Sequence, residues 1–130
     1  MRESDVIKLI NKAKEFSENS FVLHTGEAVG ACVLTSDNMV FGGCAIENFS
    51  LPASTGAAAV AVLKAVSEGY TNIKVVCIYT EGEYLPAVMG NERDIIFQFG
   101  QDAEVILACD AKHEKYKMYE LLPFTKRDKE

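Results

Sequence analysis

Between residues 5 and 17 the apolar side chains Val6, Leu9, Ile10, Ala13 and Phe16 recur at intervals of three and four. That spacing gathers one face of a helix, and Ser4 stands where a cap is wanted. Apolar residues then run almost without a break over 28–34, give way to Ser36-Asp37-Asn38, and resume over 39–46. Two extended runs around a polar turn predict a β-hairpin. Ser54 or Thr55 can cap a helix over 57–67, rich in alanine and closed by Gly69. So apolar a helix predicts burial on more than one side. The β-branched run over 73–79, centred on Val75-Val76-Cys77-Ile78, predicts a strand buried on both faces. Ile95, Ile96 and Phe99 predict a helix over 92–99, stopping at Gly100, and a compact apolar strand follows over 104–109. Residues 116–119 predict an edge strand. A hairpin followed by strand, helix and strand implies an α/β fold with a partly parallel sheet covered by helices.

The chain has 130 residues, a length that suits one domain over 1–130 with one core. Apolar residues at 48% and charged residues at 25% are proportions of a packed globular protein. The net charge of −6 argues against a nucleic-acid backbone or an anionic membrane as the main partner, since either repels an acidic surface unless basic residues are segregated. Lys112, Lys115, Lys117, Lys126, Arg127 and Lys129 are interrupted by acids and read as a solvated turn and tail. No apolar run is long enough to span a bilayer, and the start Met1-Arg2-Glu3-Ser4-Asp5 lacks the plan of a signal peptide. The expected location is cytoplasmic. Cys32, Cys44, Cys77 and Cys109 form no C-x-x-C pair, so reduced, mostly buried thiols are expected. His24 and His113, the two histidines, are expected to titrate at the surface.

Five islands, in order, resemble the cytidine deaminase family, including the small homotetrameric type and its blasticidin-S deaminase relatives. They are Val29-Gly30-Ala31, Gly43-Cys44-Ala45-Ile46-Glu47-Asn48-Phe49-Ser50, Lys64-Ala65-Val66-Ser67-Glu68-Gly69-Tyr70, Arg93 ahead of Phe99-Gly100, and Glu120-Leu121-Leu122-Pro123-Phe124. The resemblance covers the chain after the first helix. It implies a three-layer α/β/α sandwich with a five-stranded mixed sheet, assembled as a homotetramer whose sites borrow residues from neighbouring subunits.

Zinc deaminases hold the metal with His/Cys/Cys or three Cys and move protons with a glutamate that is not a ligand. Where the resemblance puts Cys-Ala-Glu, this chain has Gly56-Ala57-Ala58, so the catalytic glutamate position is Ala58. Where it puts Pro-Cys-x-x-Cys, counting back from Arg93 gives Val88-Met89-Gly90-Asn91-Glu92. The metal-ligand positions are then Gly56, Met89 and Glu92, and no Cys or His lies between Tyr79 and Ala108. A thioether and one carboxylate do not replace two thiolates around zinc. Of the nucleoside pocket, the ring-stacking Phe falls on Glu27 and the ribose-binding Asn on Ala45, while Glu47 is kept and Ala57 lines the relic. Losing the aromatic platform and the buried donor would each cost about 1 to 3 kcal/mol of ligand affinity.

The expectation is a deaminase fold without zinc and without zinc-dependent deamination, serving as a nucleoside-like ligand binder or an oligomeric partner. The alternatives are an active cytidine or blasticidin-type aminohydrolase with other ligands, and a regulatory subunit of an active paralogue. Two further chemistries are open to this set: Cys44 as a nucleophilic thiol, against the plainer reading of a buried cysteine, and Glu92 as a general base, against an acid that complements its helix dipole.

Overall fold

A computed structural model of the chain describes residues 1–123. Helix α1, Glu3–Ser17, leads into the hairpin of β1, Val29–Thr35, and β2, Val40–Cys44. A 3-10 turn at Leu51–Ala53 precedes α2, Ala57–Ser67, and β3, Ile73–Thr80. Then come α3, Gly90–Phe99, β4, Glu104–Ala108, β5, His113–Lys117, and a short α4, Met118–Leu121.

The strands form a five-stranded mixed sheet in the order β2-β1-β3-β4-β5. β3 and β4 are parallel neighbours, joined through α3, while every other adjacent pair is antiparallel. Alternation along the strands sends side chains to two cores. On one face Val6, Leu9 and Ala13 of α1 cover Cys32, Val75, Cys77 and Ile106. On the other, Ala58, Ala61, Val62 and Ala65 of α2 and Ile96 of α3 cover Val33, Val76, Ile78 and Val105. This is the three-layer α/β/α sandwich with α1 as one outer layer and α2 and α3 as the other.

The alanines of α2 allow a close approach. At Gly43 of β2, an added Cβ would stand 2.6 Å from the Ala61 nitrogen and 2.9 Å from the Ala57 carbonyl oxygen. The start of α2 is therefore held against the β2 end of the sheet, on the same face as α3.

Three elements depart from the sequence expectation. Helix α1 begins two residues early, at Glu3 with Arg2 as its N-cap, so Ser4 lies inside the first turn and does not cap it. The edge strand lies over His113–Lys117, and Met118 to Leu121 turn into a helix instead. β4 needs a partner on its open side, and the half-exposed, lysine-bearing segment supplies one while Met118 drops into the core. His113 thus sits in a strand, with its Nε2 3.3 Å from a Glu3 oxygen, and Lys117 pairs with Glu104 at 3.9 Å. Lys126, Arg127, Lys129 and Phe124 lie outside the described residues. Helix α3 also begins two residues earlier than expected, at Gly90. That places Glu92 at its third position, inside the first turn.

Candidate functional site

Helix α2 starts without a side-chain cap of its own. Its N-cap is Gly56, extended at φ −75° and ψ 161°, and neither Ser54 nor Thr55 caps it. Ser54 Oγ instead accepts the Asn48 amide at 2.8 Å, and Thr55 exchanges backbone hydrogen bonds with Ile46. The first amides of a helix are orphans unless something else accepts them. The acceptor comes from α3: Glu92 Oε2 receives the amides of Ala58 at 3.0 Å and Ala59 at 3.3 Å.

Glu92 is 6% exposed. Burial pushes its carboxyl up from the ordinary glutamate range, and the amides of Ala59, Met89 and Ala58 oppose that rise by hydrogen bonding to the charged form. The first-turn acid therefore does more than complement its own helix: its side chain ties the start of α3 to the start of α2.

Of the three metal-ligand positions named from sequence, Gly56 and Glu92 are brought into contact, and Met89 is not part of that contact group through its side chain, which is 62% exposed. Gly56 offers no donor atom, and the Glu92 carboxylate is committed to backbone amides. These residues do not fit zinc, which needs several deprotonated donors arranged as a tetrahedron. Among the described residues no group of three or more His, Cys, Asp or Glu is placed to hold a metal ion. Ala58, where the sequence resemblance puts the proton-shuttling glutamate, is fully buried and contributes a methyl group and its amide.

Arg93 braces the same region, donating from Nε to the Val88 carbonyl at 2.7 Å and from Nη1 to the Leu121 carbonyl at 2.8 Å. It holds the loop ahead of α3 against α4.

The residues that the sequence resemblance assigns to a nucleoside pocket lie along the neighbouring segment. The Ile46–Thr55 bridge runs the 45–47 segment beside 54–56. The Ala45 amide donates to the Val29 carbonyl there, and its carbonyl accepts from the Phe21 amide. Glu47 Oε1 accepts the His24 amide at 2.6 Å and the Thr25 amide at 3.2 Å, and its carboxyl lies below the usual range chiefly because the Thr25 hydroxyl donates to it. Glu27 is exposed, with its amide on Thr25 Oγ1 at 3.1 Å. Ala57 is buried. His24 is exposed, and its Nε2 lies 2.7 Å from the Asn48 carbonyl.

All four thiols are free, and Cys44 is the least buried of them. Burial pushes its thiol up, only partly countered by Lys64, the opposite of what a nucleophilic cysteine needs. An open groove of about 680 Å³ between α1 and the sheet, lined by Leu9, Leu34, Val75 and Lys74 among others, contains none of these residues.

The Glu92 cap on another helix was missed by the sequence reading. Its signal was indirect: a helix beginning Gly-Ala-Ala-Ala without a polar cap needs an acceptor from elsewhere.

The chain is 30% identical to a cytidine deaminase from Sporosarcina psychrophila, covering 95% of this chain and 94% of that protein. It is 28% identical to a probable cytidine deaminase from Dictyostelium discoideum, over 95% of this chain and 84% of the relative. The fold superposes on the 1.6 Å crystal structure of cytidine deaminase from Burkholderia pseudomallei with a TM-score of 0.88, 26% identity, and coverage of 97% and 100%. No protein-family profile matches it. Among the described residues no helix is long and apolar enough to cross a membrane.

Proposed function

The chain belongs to the cytidine deaminase family, and from that premise we propose that it is a member without zinc-dependent deamination. It keeps a single deaminase-like domain as a binder of a nucleoside-like ligand or as an oligomeric partner. The observation that carries this reading is the buried Glu92 carboxylate, spent on the amides of Ala58 and Ala59. With Gly56 and Ala58 beside it, nothing there generates a hydroxide at neutral pH or shuttles a proton to a base.

Assembly as a homotetramer is supported by apolar side chains left in solvent. Phe21 and Ile46 form a bridge and are 54% and 45% exposed, and Phe49 and Leu51 follow in the next loop at 88% and 57%. Aromatic and aliphatic side chains exposed together mark interaction surfaces. A cytoplasmic location is part of the same reading. Any retained nucleoside would be held chiefly through Glu47, with weak affinity because Glu27 and Ala45 offer neither a stacking ring nor an amide side chain.

The test is cytidine turnover followed by ultraviolet absorbance, with and without added zinc. Turnover indistinguishable from buffer in both conditions is the expected result. Catalysis at an ordinary enzymatic rate would overturn the proposal and favour an active aminohydrolase.

A further inference from the structure

A carboxylate as buried as Glu92 is costly unless it is hydrogen-bonded, and here Oε2, carried on α3, is matched by two amides of another helix, α2. The first turn of α2 has no polar cap, and the Glu92 oxygen on Ala58 and Ala59 supplies one from α3. Negative charge at a helix N-terminus is also favourable. Gly56 completes the arrangement sterically. An ideal Cβ there would stand 2.5 Å from Glu92 Oε1, with Cδ and Oε2 closer still. The atoms met belong to a side chain that cannot swing away without abandoning its hydrogen bonds in the interior.

We propose that Gly56 and Glu92 form a metal-independent brace that joins the starts of α2 and α3, and that each position requires the other. Any side chain at position 56, a metal-binding cysteine included, excludes the Glu92 carboxylate, and the carboxylate in turn obliges glycine. The inference rests on the reading that this site holds no zinc, and it adds what replaces the metal as the tie between the two helices.

The experiment compares thermal midpoints of the wild-type chain, Gly56→Ala, Glu92→Ala and the double variant, together with zinc content of each. Each single variant is expected to lower the midpoint by at least about 5 °C. The double variant is expected to lose clearly less than the two losses combined, because the methyl at 56 then enters the space vacated by the carboxylate. A Gly56→Ala midpoint equal to wild type, or strictly additive losses, overturns the brace while leaving the absence of catalysis untouched. Stoichiometric zinc in the wild-type protein overturns both. Should a single variant fail to accumulate as folded protein, Glu92→Leu, which fills the space without an acceptor, carries the test by amide hydrogen exchange. Faster exchange by about tenfold or more at Ala58 and Ala59, with Val62 unchanged, is expected. Unchanged exchange at Ala58 and Ala59 overturns the proposal.

Discussion

The Thr25 hydroxyl donates to Glu47 Oε2 at 2.7 Å, closing the loop after Phe21 onto the segment that leads from β2 to α2. With the His24 and Thr25 amides on the other oxygen, three of roughly four acceptor positions on the carboxylate are taken. Glu47 therefore organises a loop first and has room for one further donor, such as a sugar hydroxyl. Replacing Glu47 with alanine should speed amide exchange at His24 and Thr25 and abolish any thermal shift produced by a nucleoside panel. Exchange at those two amides unchanged from wild type would show that the loop is held by something else.

The packing of β2 on α2 gives a second expectation. Gly43→Ala forces a methyl against the Ala61 nitrogen and the Ala57 carbonyl, both backbone atoms of a buried helix. Overpacking of this kind costs about 1 to 3 kcal/mol. Urea denaturation should show a lower midpoint with an unchanged slope, and an equally stable variant would mean that the helix and strand shift apart freely.

At the far end of β3, Tyr79 Oη donates to Asp110 Oδ1 at 2.5 Å and the Gly82 amide to Oδ2 at 2.8 Å. The Tyr79 hydroxyl, then the Gly82 amide, hold the Asp110 carboxyl below its usual range. A carboxyl with a depressed folded pKa contributes stability that is fully present above its unfolded value, about 3.9, and is lost as pH falls through the folded value. Asp110→Asn should therefore lower stability at neutral pH and flatten the acid limb of the stability profile below about pH 4. A variant whose acid limb parallels wild type would place that dependence on other carboxylates.

The sandwich was legible because its central elements repeat one signal many times. Val75 to Ile78 and Val105 to Ala108 are apolar runs that only a doubly covered strand can bury, and the alanines of α2 announce a helix packed on several sides. The edge was less legible, since His113 to Lys117 carries no continuous apolar pattern and becomes a strand through pairing with β4. At the site, the residue types at 56, 58, 89 and 92 could be read in order along the chain. What could not be read was the direction of the Glu92 side chain. A first-turn carboxylate satisfies its own helix by default, and only the tertiary approach of α2 brings a second set of amides within reach.

The proposed absence of zinc rests on a site in which a carboxylate and a glycine stand where coordination chemistry would need several deprotonated donors. Its most direct test is elemental analysis by plasma mass spectrometry of the full chain, purified without added zinc and without chelators. Zinc far below one atom per chain is the predicted result. Tightly bound zinc at about one per chain, retained through dialysis, would contradict it.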